Sequence, residues 1–159
     1  MDIMNPPAPQ LPPKQFPHVL IVEDDRAAAH LIRAVVLRHG HGCSATVVHD
    51  GMAAVRYITG EEEYRDREIH PYPDLVILDL GLPGMDGFEV LSWLDGHGPT
   101  RDTPIVVFSG SADPAAAERA YALGARAFLP KSADPVRLAV VVSDTLARWT
   151  PQRREGTTG

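Results

Sequence analysis

The chain has 159 residues, a length that suits one domain with its own hydrophobic core. Its net charge of −6 excludes a broad nucleic-acid-binding surface, and the tail pair Arg153 and Arg154 is the one local basic hint. The single Cys43 excludes an internal disulfide, and no apolar run approaches the ~20 residues of a membrane span. The N-terminus lacks a signal peptide's charged start and apolar core, so the expected location is the cytoplasm, with no nucleic-acid or membrane partner.

Residues 1–17 carry six prolines and few apolar side chains, and they read as a disordered, extended leader. A first strand is expected at about His18–Val22. Asp25 then N-caps a helix over roughly Arg26–His39, with Leu31, Ile32, Val35 and Val36 as its inner face. Gly40 and Gly42 end that helix. Cys43 has His39 and His41 nearby, but a glycine-rich turn into a strand explains that cluster better than a soft-metal site. The second strand is expected at about Cys43–Val48. Asp50 caps a second helix that stops near Thr59-Gly60.

Seven of the eight residues from Glu61 to Glu68 are charged, so the link from Glu61 to Pro73 reads as a solvated helix extension and loop. A third strand, Leu75–Leu78, ends at Asp79. Asp86 and Glu89 have capping-box spacing for a third helix, about Gly87–Asp95. A fourth strand covers Ile105–Phe108. Asp113-Pro114 opens a fourth helix that stops at Gly124. A fifth strand, Ala127–Leu129, precedes Pro130-Lys131, and Asp134-Pro135 opens a fifth helix reaching about Trp149. The domain is thus bounded at 18–149, with a flexible tail over 150–159. Short β-branched runs alternating with helices indicate an α/β fold. The expected architecture is a doubly wound, five-stranded parallel sheet of order 2-1-3-4-5 with five helices, flavodoxin-like in outline.

In such a sheet the ligand site lies outside the carboxyl ends of the strands. Glu23, Asp24, Asp79, Ser109 and Lys131 all fall just past strand ends, so they should converge on one edge. Carboxylates, a hydroxyl and an ammonium in one cleft suit a divalent cation and a phosphoryl group. A carboxylate such as Asp79 can attack a phosphoryl group to form an aspartyl phosphate, a reaction that needs positioning and charge neutralisation more than base catalysis.

Four segments carry a resemblance: Val19–Asp25, Asp74–Gly87, Pro104–Gly110 and Ala127–Lys131. In this order, each at a strand end, they resemble the receiver domain of bacterial response regulators, the CheY-like family. The resemblance spans roughly residues 17–149. It implies that Asp79 is the phosphoacceptor, and that Asp24 and Asp79, with the Gly81 carbonyl, ligate Mg²⁺ while Glu23 acts largely through water. It further implies that Lys131 and Ser109 contact the phosphoryl group. The backbone N–H groups of Leu80 and Gly110 complete the cradle, and Phe128 is the switching aromatic. Two departures stand out. Ser132 replaces the proline that commonly follows the lysine in a cis peptide, so a trans bond is expected. Gly81 offers no polar side chain two residues after the phosphoacceptor.

The implied function is a stand-alone receiver that takes phosphate from a sensor histidine kinase and signals through its fourth helix, fifth strand and fifth helix. It would catalyse only its own phosphorylation and dephosphorylation. Only about nine residues follow the fifth helix, too few for a DNA-binding domain. The long charged link and the Lys131-Ser132 junction are similar to those of single-domain receivers that pair with phytochrome-type kinases; the downstream partner is unspecified. An aspartyl-nucleophile, metal-dependent phosphatase is the alternative, but it would carry a second Asp at Gly81. A flavodoxin-like electron carrier would set an FMN phosphate against Glu23, Asp24 and Asp25. In the fifth helix, Ala139, Val142, Leu146 and Trp149 suffice to cover the sheet, which leaves Val136, Val140 and Val141 for a homodimer interface.

Overall fold

The computed structural model describes residues 15–96, 102–110 and 113–149. The expected tail and all but the last three residues of the expected leader lie outside the described residues. Five strands, β1 (His18–Val22), β2 (Ser44–Val48), β3 (Leu75–Leu78), β4 (Ile105–Ser109) and β5 (Ala127–Pro130), form one parallel sheet of order 2-1-3-4-5. Five helices connect or follow them: α1 (Arg26–His39), α2 (Gly51–Thr59), α3 (Gly87–Gly96), α4 (Pro114–Ala122) and α5 (Pro135–Ala147).

β1, β3 and β4 are buried along their whole length, as strands covered on both faces must be. Alternate residues feed two cores. Val19, Ile21, Ile77 and Val106 pack with Ile32 and Val36 of α1 and with Leu138, Val142 and Leu146 of α5. Leu20, Val22, Val76, Leu78 and Val107 pack with Ala54 and Tyr57 of α2, Val90 and Leu91 of α3 and Ala120 of α4.

Aspartates fix where each helix begins. Asp25 accepts from the Ala28 N–H (2.8 Å), Asp50 from Ala53 (2.7 Å), Asp86 from Glu89 (3.0 Å), Asp113 from Ala115 (2.9 Å) and Asp134 from Val136 (3.0 Å). Each satisfies an N–H that a first helical turn leaves unpaired. The chain therefore turns into helix within a few residues of leaving β1, β2, β4 and β5, whereas Asp79–Asp86 separate β3 from α3.

The rotation of two helices differs from the sequence reading. Leu31 of α1 is 51% exposed, and Ala29 takes its place beside Ile32 and Val36. In α5 the buried stripe is Leu138, Val142 and Leu146, four residues apart, whereas Ala139 is only half-buried. In both helices part of the expected face is kept, Ile32 and Val36 in α1 and Val142 and Leu146 in α5, and the stripe shifts only at its edge. A row of adjacent apolar residues fixes that edge only to within one position. Cys43 lies before β2 rather than in it, and its thiol donates to the Val36 carbonyl oxygen at 3.4 Å.

The link between α2 and β3 is anchored rather than merely solvated. It opens with one 3₁₀ turn, Glu62–Tyr64. Arg67 donates through Nη1 to the carbonyl oxygens of Tyr57 (2.7 Å) and His70 (3.3 Å), and through Nη2 to that of Ile58 (2.7 Å). One planar guanidinium thus caps carbonyls at the end of α2, that of Ile58 and that of Tyr57, which also accepts from the Gly60 N–H (3.3 Å). The Tyr57 hydroxyl donates to the Pro71 carbonyl oxygen (2.7 Å), and the Tyr64 ring lies 5.0 Å from that of Tyr57. Arg67→Ala is expected to lower unfolding stability by about 1–3 kcal/mol in urea titration, because those carbonyls lose their donor. Arg67→Lys should recover only part of the loss, since an ammonium cannot reproduce the fork. An alanine variant within 0.5 kcal/mol of wild type would count against the clamp.

Candidate functional site

Strand ends bring the expected residues together. The Asp79 N–H donates to the Val22 carbonyl oxygen (3.0 Å), and the Glu23 N–H to that of Val48 (3.0 Å), so both residues extend the sheet ladder by one step. The Lys131 N–H donates to the Ser109 carbonyl oxygen at 2.7 Å, which fixes the lysine beside β4. From that position Lys131 Nζ lies 3.1 Å from Asp79 Oδ2 and forms an ion pair with Glu23. Asp79 Oδ1 accepts from the Gly81 N–H at 3.2 Å. Glu23, Asp79 and Ser109 are buried, whereas Asp24 is exposed to solvent.

Glu23, Asp24 and Asp79 each offer one carboxylate oxygen, and those three atoms lie within 4.8 Å of one another. An all-oxygen set facing a partly open cleft fits a hard divalent cation. Asp79, Leu80, Gly81, Ser109, Gly110 and Lys131 line a cleft of about 390 Å³ that Phe88 and Ala116 close on one side. Gly81 keeps the space above the carboxylate open: a Cβ placed there would stand 3.9 Å from Asp79 Oδ1. Gly87 does the opposite, because a Cβ there would run into the Asp79 carbonyl oxygen and the Leu80 Cα. Its lack of a side chain lets the start of α3 press against the backbone that carries Asp79.

The charges are strongly biased by this crowding. Burial pushes the Glu23 carboxyl up to about 7, and its hydrogen bond and repulsion with Asp79 outlast the opposing pull of Lys131. Burial also raises Asp79, but hydrogen bonds from Glu23, the Gly81 N–H and Lys131 outweigh it and hold Asp79 below the usual carboxylate range. Burial depresses the Lys131 ammonium, and the same two carboxylates overcome that and raise it. Of the two neighbouring carboxyls Glu23 is therefore the more readily protonated, and Asp79, the more readily ionised, faces the cleft.

Sequence reasoning missed two neighbours. His49 Nδ1 donates to the Glu23 carbonyl oxygen (3.0 Å), which ties the end of β2 to the acidic pair. Phe88 walls the cleft with its ring, and Arg119 lies over that ring at 4.2 Å. His49 directly follows β2 at the same sheet edge, so its position carried a signal; Phe88 carried none. Phe128 is half-buried against the core shared by α2 and α3. No peptide bond among the described residues is cis, in keeping with Ser132 after Lys131. Val136 and Val140 are 63% and 51% exposed, but Val141 is half-buried against the α1–α5 core and leaves the set expected to form an interface. Among the described residues no helix is long and apolar enough to cross a membrane.

The sequence pattern of the response regulator receiver domain matches residues 19–143. The response regulator Rcp1 of Synechocystis sp. is 30% identical over 138 residues, which cover 87% of this chain and 90% of Rcp1. The crystal structure of the Mn²⁺-bound form of Rcp1 superposes with a TM-score of 0.70 at 29% identity, over 84% of this chain and 94% of that one. The phosphorylated cyanobacterial phytochrome response regulator RcpA does so with a TM-score of 0.71 at 28% identity, over 91% and 97%. Fold and sequence pattern agree, and the chain belongs to the response regulator receiver domain family of two-component signalling.

Proposed function

We propose that this receiver accepts a phosphoryl group on Asp79 from a phosphohistidine of a sensor histidine kinase, in a Mg²⁺-dependent reaction. The observation that carries the reading is an anionic Asp79 that faces an open cleft with the Lys131 ammonium 3.1 Å away. One Asp79 oxygen forms the new P–O bond as the donor's P–N bond breaks, and the departing imidazole takes up a proton. Lys131 neutralises a phosphoryl oxygen as a point charge. The Ser109 hydroxyl and the N–H groups of Leu80 and Gly110 hold others. Glu23, Asp24, Asp79 and the Gly81 carbonyl would hold Mg²⁺, which supplies charge neutralisation at the phosphoryl group when bound. The protein is read as modifying only itself, not a separate substrate.

Ser109 and Phe128 form the switch in this reading, and the surface of α4, β5 and α5 is the output. Val136 and Val140 offer that surface to a second copy; sedimentation of wild type against Val140→Glu reads the association, and an unchanged dimer would place it elsewhere. The likeness to Rcp1 and RcpA supports a phytochrome-type kinase as donor. The basic reaction is tested by incubating the protein with a small acyl phosphate and Mg²⁺ and measuring intact mass. Wild type should gain one phosphoryl group and Asp79→Ala none. Labelling of the alanine variant to the wild-type extent would sink the assignment.

A further inference from the structure

β5 is an outer strand, and among the described residues β4 is its one neighbour in the sheet. The Lys131 N–H faces β4, where it donates to Ser109. Backbone groups alternate sides along a strand, so the Phe128 N–H points off the open edge. Such a group is ordinarily left to water or to another chain. Here it donates to the hydroxyl of Tyr121 at 3.1 Å. Tyr121 lies in the last turn of α4 and is 52% exposed. The Phe128 side chain shares a sheet face with Val107, its partner in register, and with Ser109 two residues further along β4. Tyr121, Phe128 and Ser109 thus form a continuous sequence of neighbours from the surface of α4 to the wall of the Asp79 cleft.

We propose that Tyr121 is a positioning residue for the switch: its hydroxyl holds the Phe128 backbone in the resting arrangement, and phosphorylation of Asp79 releases it. This rests on the reading of Asp79 as phosphoacceptor and Phe128 as switch. Phe128 has no hydroxyl with which to lock its own position, and the Tyr121 hydroxyl supplies the missing restraint from outside. A bond made only in the resting state biases the protein against the phosphorylated state by its own free energy. Removing the bond should therefore activate the receiver, whereas loss of a merely structural contact would not favour phosphoryl binding.

Two measurements on the full chain test this, with Tyr121→Phe as the variant. In the unphosphorylated protein, the Phe128 amide should exchange with solvent about two- to fivefold faster in the variant, while the β4-facing Leu129 amide keeps its rate. Equal Phe128 rates would overturn the restraint. With Mg²⁺ present, beryllofluoride stands in for the phosphoryl group, and the variant should bind it about two- to fivefold more tightly, the worth of one exposed neutral hydrogen bond. Tyr121→Leu should shift affinity in the same direction, which separates the hydroxyl from the ring. Equal or weaker binding by both variants would overturn the coupling. If not even wild type binds beryllofluoride, the phosphoacceptor reading fails and the coupling falls with it, while the amide rates still report on the restraint alone.

Discussion

The metal-free protein is expected to lose about 2 kcal/mol of stability as the pH rises from about 5.5 to 8. Glu23 drives this change. Its folded pKa is about 7 against 4.5 for the free side chain, because the carboxyl is wholly buried beside Asp79. A carboxyl with a raised folded pKa contributes stability that is fully present below the unfolded value and is lost as pH rises through the folded one. Asp79 is shifted the other way, so its contribution is lost only in acid, as pH falls through its lowered value, outside this window. Urea unfolding at a series of pH values reads the slope. Glu23→Gln keeps the size of the side chain and removes the titration, so it should flatten the curve between pH 5.5 and 8. An unaltered slope in that variant would assign the effect to another group.

Mg²⁺ is expected to raise the melting temperature by about 10 °C when present at ~100 times its dissociation constant, which corresponds to ~2.7 kcal/mol in a domain of this size. The three carboxylates of Glu23, Asp24 and Asp79 repel one another at one sheet edge, and a cation converts that repulsion into attraction. Because the cation must displace the proton held on Glu23, the stabilisation should be larger at pH 8 than at pH 5.5. Asp24→Asn removes one of the three charges without disturbing the core, since Asp24 is exposed. That variant should melt higher than wild type without metal and respond little to Mg²⁺. A wild-type melting temperature indifferent to Mg²⁺ would contradict a cation site in this cleft.

Much of this site was legible before any coordinates. Parallel strands put their carboxyl ends on one edge, so Glu23, Asp79, Ser109 and Lys131 could be placed together from strand ends alone. The five capping aspartates, each just before its helix, fixed the helix starts equally well. Helix rotation was less legible: Leu31 and Val141 were misplaced because adjacent apolar residues in α1 and α5 leave the buried stripe ambiguous by one position. The link before β3 looked solvated because charge counts do not reveal where a guanidinium points, and Arg67 turns inward onto Tyr57 and Ile58. Nor could sequence show that Lys131 bridges Glu23 and Asp79, since that depends on where three side chains point at the sheet edge. The Tyr121 contact to the edge of β5 is invisible to periodicity for the same reason: it is set by the alternation of backbone groups at an unpaired edge.

Phosphorylation should leave a single acyl phosphate on the side chain of Asp79. The most direct measurement treats the Mg²⁺- and donor-labelled protein with borohydride, which reduces an acyl phosphate to an alcohol, and then maps the peptides by mass. One modified residue, Asp79, is expected, and no modification when Mg²⁺ is withheld. Reduction at Glu23, at Asp24 or at any other carboxylate, or labelling that proceeds equally without the metal, would contradict it.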